Sequence, residues 1–364
     1  MSILKKLYDD MDRQLDKKAE PHKIRWWHII LLLALIAGTI YIMNSPKPTK
    51  GGTTIDKETF LKCEGEVFGT FYHITYQYPN DLQDSIEATL RQVDGSLSPF
   101  NKESVITAIN NGTSDATDEM FREVFTLAKQ VSAETDGAFD ITVAPLVNAW
   151  GFGFKNKENV TDTLITRLLT HVGIDKVTLQ DNRLVKADSA VMLDCSAIAK
   201  GYGVDAVGRM LESKQISNYM VEIGGEVRVR GHNPQGSSWN IGIIKPIPDV
   251  TGTQTELQQV LHLTDISMAT SGNYRNYYEQ GNKRYAHTID PRTGYPVQHS
   301  ILSSTVLTTD CATADAYATA FMVLGLDSAQ AVLNRHPELK AYFIYSDDDG
   351  NNATWHTENL VIEE

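Results

Sequence analysis

Cysteine is nearly absent. Only Cys63, Cys195 and Cys311 occur in a chain of 364 residues, too few and too scattered for a disulfide framework or a thiolate metal cluster. They read as small buried side chains, with a Cys195–Cys311 bond left open for an oxidising compartment. Positive charge is also short: 33 Lys and Arg stand against 46 Asp and Glu, a net charge of −13. The first 44 residues carry seven basic and five acidic residues, so the remainder holds 26 against 41, a balance of −15. That sign argues against non-specific nucleic-acid binding. An anionic ligand would have to be held locally, by a metal, a lysine or backbone amides. No internal repeat, low-complexity tract or G-x-x-x-x-G-K-[ST] phosphate loop is present.

What remains is ordinary globular composition, 41% hydrophobic and 22% charged, enough for one large domain or two smaller ones. Residues 1–25 are polar and read as a cytoplasmic tail. Trp26 to Met43 is apolar except for His28 and Thr39, long enough to span a hydrocarbon core. Trp26 and Trp27 suit the interface, and Lys23 and Arg25 the cytoplasmic side. The rival, a cleaved signal peptide, lacks a small-residue cleavage site and has too long a leader. The expectation is a single-pass inner-membrane (cytoplasmic-membrane) anchor at 26–43, a linker at 44–57, and a domain at 58–364 on the periplasmic, extracytoplasmic side.

Within that domain the pattern predicts a strand over Glu66–Tyr78 and helices over Asp81–Val93, Glu119–Glu134 and Thr163–Val172. Asp181–Asn182 signals a hairpin between Val177–Leu179 and Arg183–Lys186. A helix follows over Lys200–Ser213, then strands around Gly224–Gly225 and over Trp239–Ile244, Val260–Ser267 and Arg284–Ile289. Last come a helix of small residues after Asp310, a helix over Ser328–Arg335, and strands over Ala341–Tyr345 and Leu360–Ile362. Strands and helices mix without a regular βαβ rhythm, which gives an α+β fold of mixed sheets with packed helices.

Four stretches carry chemistry. In the Ala-rich helix, Asp315 and Thr319 are four residues apart and share a face. A carboxylate and a hydroxyl there are hard oxygen ligands of the kind magnesium takes; a packed helix with Asp315 in an ion pair is the structural alternative. DCSAIAKGYG (Asp194–Gly203) leads into a helix whose N-terminus favours an anion, with Lys200 adding a full charge, or it is a tight strand–helix corner. In YAHTIDPRTGYPV (Tyr285–Val297), His287 is a neutral-pH proton acceptor or a structural histidine. In Thr135–Gly153, Phe139, Trp150 and Phe152 wall a flat ring system or belong to the core.

Taken in order, DGAFDITVAPLVNAWGFG, DCSAIAKGYGVD, IGGEVRVRG, SGNYRNYY, RYAHTIDPRTGYPV and the ADAYAT helix resemble the FAD:protein FMN transferase, or ApbE, family from about Val67 to Leu326. The resemblance implies a magnesium site at Asp315 and Thr319, with the backbone at Ala318 nearby and a carbonyl at Ala197. It implies FAD contacts at Phe68, Phe100, Ala138, Phe139, Asp140, Asp194, Lys200 and Ile289. Phe68 stands where Met is common, Leu97-Ser98-Pro99-Phe100 replaces a Ser-Thr-aromatic run, and Cys195 replaces an aliphatic residue. The reaction implied is Mg2+-dependent cleavage of FAD, transfer of FMN through a phosphoester bond to a Thr or Ser of a partner protein, and release of AMP. His287 is then the expected base, with Asp290 the second candidate. Partners resembling [DS]-G-A-[ST]-x-A-T acceptors are implied, such as subunits of Na+-pumping quinone reductase or Rnf-type electron-transport complexes. The alternatives are an Mg2+-dependent FAD pyrophosphatase and an FAD-binding protein without turnover.

Overall fold

The computed structural model describes residues 59–155, 158–246, 256–272, 277–280, 283–298, 300–347 and 349–362. The tail at 1–25, the apolar run at 26–43 and the linker at 44–57 lie outside the described residues. Among the described residues no helix is long and apolar enough to cross a membrane.

In chain order the elements are β1 (Phe60–Val67), β2 (Thr70–Gln77), α1 (Gln83–Leu97), α2 (Val105–Asn111), α3 (Glu119–Glu134), α4 (Ala144–Trp150) and α5 (Asp162–Leu169). Then follow β3 (Val177–Gln180), β4 (Arg183–Lys186), α6 (Ala199–Ser213), β5 (Tyr219–Ile223), β6 (Glu226–Arg230), β7 (Trp239–Ile244), β8 (Leu257–Leu263) and β9 (Ile266–Gly272). The chain continues with β10 (Tyr277–Gln280), β11 (Lys283–Ala286), β12 (Ile301–Thr308), α7 (Cys311–Leu324), α8 (Leu326–Leu333), β13 (Lys340–Ser346) and β14 (Asn352–His356).

One sheet of eight strands organises the domain, in the order β1-β2-β5-β6-β9-β12-β13-β14. Each neighbouring pair is antiparallel. It is a meander interrupted four times: α1 to α6 and the β3–β4 hairpin fall between β2 and β5, the β7–β8 hairpin between β6 and β9, β10–β11 between β9 and β12, and α7 and α8 between β12 and β13. Period-two alternation supplies both faces of the sheet. Val306, Ala341 and Phe343 pack with the helices, while Leu307, Tyr342 and Ile344 join Trp239, Ile241 and Ile243 beneath the β7–β8 hairpin.

Helix α7 is the centre of this packing. Eleven of its residues are buried, which makes it a core helix rather than a surface one. Asp310 starts it and Gly325, at φ 77°, ends it. Its first turn is held from outside: Asp205, on α6, accepts the Ala312 N–H at 2.9 Å and pairs with Arg228 at 2.8 Å. Helix α6 crosses α7 at a glycine. A Cβ at Gly201 would lie 2.4 Å from the Cys311 carbonyl oxygen and 2.8 Å from the Asp315 Cβ. The glycines of this stretch therefore serve contacts within the protein. Gly203 does the same against Phe68, whose ring a Cβ there would meet at 2.7 Å.

The predicted Asp181–Asn182 hairpin and the α+β class agree with the structure, and all three cysteines are free and buried. Other boundaries differ. Glu66–Tyr78 is not one strand, because Phe68 (φ 53°) and Gly69 (φ 72°) make a two-residue turn between β1 and β2. Val260–Ser267 is likewise broken, by a turn at Asp265 (φ 52°). Strand β11 ends at Ala286, and Ile289 forms only an isolated bridge to Pro296. Leu360 is a buried plug under the β7–β8 face, and the last strand among the described residues is β14. Short turns with one or two positive-φ residues leave little trace in an alternating apolar pattern.

Candidate functional site

A cavity of about 790 Å³ opens where the helical layer meets the sheet. Its walls come from nine places. The loop after α3 gives Ala138, Phe139 and Asp140; α4 and its end give Val147 and Phe152. The run before α6 gives Asp194 and Ala197, and α6 itself gives Lys200. The β5–β6 turn contributes Gly224 and Gly225, and β7 contributes Ile243. Thr270 and Ser271 come from β9, His287 and Ile289 from the loop after β11, and Asp315 and Thr319 from α7.

Each polar wall is fixed by its own turn. Asp140 accepts the Thr142 N–H at 2.7 Å and hydroxyl at 2.6 Å, and reaches the Ile174 N–H at 2.8 Å. Asp194 accepts the Ser196 N–H at 2.8 Å, and its own N–H bonds to the Ile141 carbonyl at 2.7 Å. The two loops are thereby tied to one another. Burial raises the pKa of both carboxyls, against the donors that lower it. Trp150 donates to the Gly294 carbonyl at 2.8 Å, which ties α4 to the 290–294 turn.

Asp315 and Thr319 lie on the cavity face of α7, one turn apart. Asp315 is 3% exposed, and its Oδ2 accepts the Gly201 N–H at 3.0 Å. The Thr319 hydroxyl is 2.9 Å from that of Ser271. Burial raises the pKa of Asp315, against the pull of Lys200. The Lys200 ammonium is 2.6 Å from Glu226 Oε1. Burial opposes that charge, but Glu226 and Asp315 outweigh it and hold the amine above the ordinary lysine range.

The donor set fits a hard divalent cation. Asp315 and Thr319 offer oxygens, and Ala197 lines the same cavity. Among the described residues no group of three His, Cys, Asp or Glu side chains forms a self-sufficient metal cage. One carboxylate completed by substrate phosphates is how magnesium is commonly held.

Of the residues singled out in the sequence, Ala138, Phe139, Asp140, Asp194, Ala197, Lys200, His287, Ile289, Asp315 and Thr319 meet at this cavity. Four do not line it. Phe68 packs over Gly203. Phe100 is 66% exposed and edge-on to Phe154, with ring centroids 6.3 Å apart. Ala318 is buried on another side of α7. Asp290, 8% exposed, receives Arg292 Nε at 2.9 Å and a second guanidinium nitrogen at 3.0 Å, so it braces its own turn. Sequence reasoning gave no role to Glu226, Ser271 or Ile243. Glu226 was visible in the GGEVRVRG motif; Ser271 and Ile243 come near only through strand pairing and carried no local signal.

The model of the ApbE family matches residues 68–343. The chain is 39% identical over 312 residues to an FAD:protein FMN transferase of Haemophilus influenzae, covering 81% of this chain and 89% of that protein. It is 39% identical over 301 residues to the protein of that name from Vibrio cholerae, covering 80% and 89%. Among solved structures it resembles the flavin transferase ApbE of Vibrio cholerae, at TM-score 0.74 and 36% identity over 82% of this chain and 97% of that one. It also resembles the apo flavinyl transferase ApbE of Pseudomonas stutzeri, at TM-score 0.73 and 32% identity over 82% and 95%. With the family model matching residues 68–343, and relatives and solved structures matching in sequence and fold over most of its length, the chain belongs to the ApbE family.

Proposed function

We propose that the chain transfers FMN from FAD to a Thr or Ser hydroxyl of a partner protein, with Mg2+ and with release of AMP. The observation that carries this reading is the meeting of Lys200, His287, Asp315 and Thr319 on one cavity walled by Phe139, Phe152 and Ile289. The names of the relatives supply the substrate class.

Phosphoryl transfer needs charge stabilisation and alignment more than covalent help. The apolar walls suit a flat ring, and Lys200 suits the diphosphate, whose charge a −15 domain would otherwise repel. Held by oxygens of Asp315 and Thr319 and by the main chain at Ala197, Mg2+ would supply Lewis-acid stabilisation of the phosphates. His287 takes the proton of the incoming hydroxyl. That oxygen forms a bond to the FMN phosphorus as the bond to the AMP phosphate breaks, and AMP leaves with the electron pair. Lys200 balances part of the charge that develops.

The domain is proposed to sit outside the cytoplasmic membrane, tethered by residues 26–57, with membrane electron-transport subunits as acceptors. A shared membrane raises the effective concentration of enzyme and acceptor.

Mass spectrometry of an acceptor segment, incubated with the protein, FAD and Mg2+, tests the reading. The expected result is a mass gain equal to FMN, abolished by a chelator. FMN and AMP formed equally fast without acceptor would make the protein a hydrolase instead, and intact FAD retained throughout would make it a binding protein.

A further inference from the structure

Glu226 has no part in the reaction described above, yet it is the direct partner of Lys200. It follows the Gly224–Gly225 turn at the head of β6 and is 2% exposed. Its Oε1 pairs with Lys200 at 2.6 Å, while its Oε2 is buried with no hydrogen-bond partner. A carboxylate buried with one oxygen unsatisfied works against stability. What it gives in return is the position of the ammonium.

Lys200 feels two carboxylates, Glu226 and Asp315. Its side chain is 32% exposed and lines the cavity. A lysine ammonium is a point charge on a flexible stem, so its place is set by whichever carboxylate holds it. Bound to Asp315, it would occupy the oxygens that a divalent cation needs. Resting on the proposed function, we propose that Glu226 is a positioning residue: it holds the Lys200 ammonium at the head of β6, keeps it off Asp315, and so leaves that carboxylate to the cation while Lys200 still faces the cavity.

The test is a double-mutant cycle on the full chain in detergent, with saturating ADP, whose diphosphate completes the coordination and carries no flavin to transfer; the signal of Mn2+ with ADP alone is subtracted. Mn2+ binding is measured by the spin-resonance signal of the free ion for wild type, Glu226→Gln, Lys200→Met and the double variant. Glu226→Gln is expected to weaken Mn2+ binding about tenfold, whereas in the Lys200→Met background the same change moves it by less than about twofold. Glu226→Asp, which keeps the charge, is expected to restore most of the affinity. A crystal structure of Glu226→Gln should show the Lys200 nitrogen within hydrogen-bond distance of Asp315. Thermal unfolding without metal checks that each variant is folded.

Equal Mn2+ affinity in wild type and Glu226→Gln would overturn the inference. So would an undiminished loss in the Lys200→Met background, or no Mn2+ bound by the wild type. Transfer of FMN by the wild type is scored separately. Its failure removes the proposed function and leaves the binding cycle readable; success there with a flat Glu226→Gln titration removes only this inference.

Discussion

His287 shares its cavity with Lys200, Asp315 and Thr319 and lies edge-on to Phe152, with ring centroids 6.4 Å apart. Replacing it with Ala should lower the transfer rate by about 10²–10⁴-fold, the range expected for loss of a general base. FAD should remain bound, as read from flavin fluorescence. Unchanged transfer would mean the proton goes elsewhere; Asp290, locked to Arg292, is poorly placed to take it. Asp194 supports a pH prediction. Burial raises its folded pKa above the unfolded value, so the native state keeps this proton to higher pH than the unfolded chain. Its contribution is therefore fully present below the unfolded pKa and is lost as pH rises through the folded one. Asp194→Asn does not titrate but still accepts the Ser196 N–H. In metal-free buffer, the melting temperature of the Asn variant minus that of wild type should rise with pH across the acid range and then level off. A difference independent of pH would refute the assignment.

At the scale of elements, the site depends on how closely α6 and α7 cross. Gly201 lets the Cys311 carbonyl and Asp315 approach the α6 backbone, and its N–H holds Asp315 Oδ2. Gly201→Ala forces backbone against backbone, an overpacking cost of about 1–3 kcal/mol. The expected outcome is a lower melting temperature together with a higher Mg2+ requirement for transfer, since the displaced element carries the carboxylate. A normal Mg2+ requirement would show that the crossing does not set the site. The same crossing explains why the helix N-terminus of α6 has no side-chain cap. The α7 carboxylate takes one of its amides instead, while Asp205 returns the contact by accepting from the first turn of α7. Each helix thus satisfies donors of the other.

For the whole molecule, the proposed anchor makes a simple prediction. The full chain should fractionate with membranes, and a chain beginning near residue 58 should be released while still transferring FMN to acceptor in solution. Release of the full chain by salt alone would refute the anchor, because a spanning helix is not held by charge. Local reading of the sequence reached the α+β class, the β3–β4 hairpin, the long amphipathic helix α3 and the Asp315–Thr319 pair. Each of these depends on contacts a few residues apart or on a spacing of 2 or 3.6. The ordered motifs carried the family, and with it the ten residues that line the cavity. The Phe68–Gly69 turn, the separate β8 and β9, and the neighbours Ser271 and Ile243 were not legible. The two turns are short positive-φ breaks hidden in an alternating apolar pattern, while Ser271 and Ile243 reach the cavity through strands far apart in the chain from α7, an arrangement nothing local encodes. The sequence by itself determined which side chains carry charge, oxygen and a titratable ring. Only the tertiary structure decided that Lys200 rests on Glu226 while Asp315 bonds to Gly201, because that choice depends on how α6, α7 and β6 pack, and packing is a property of the assembled core.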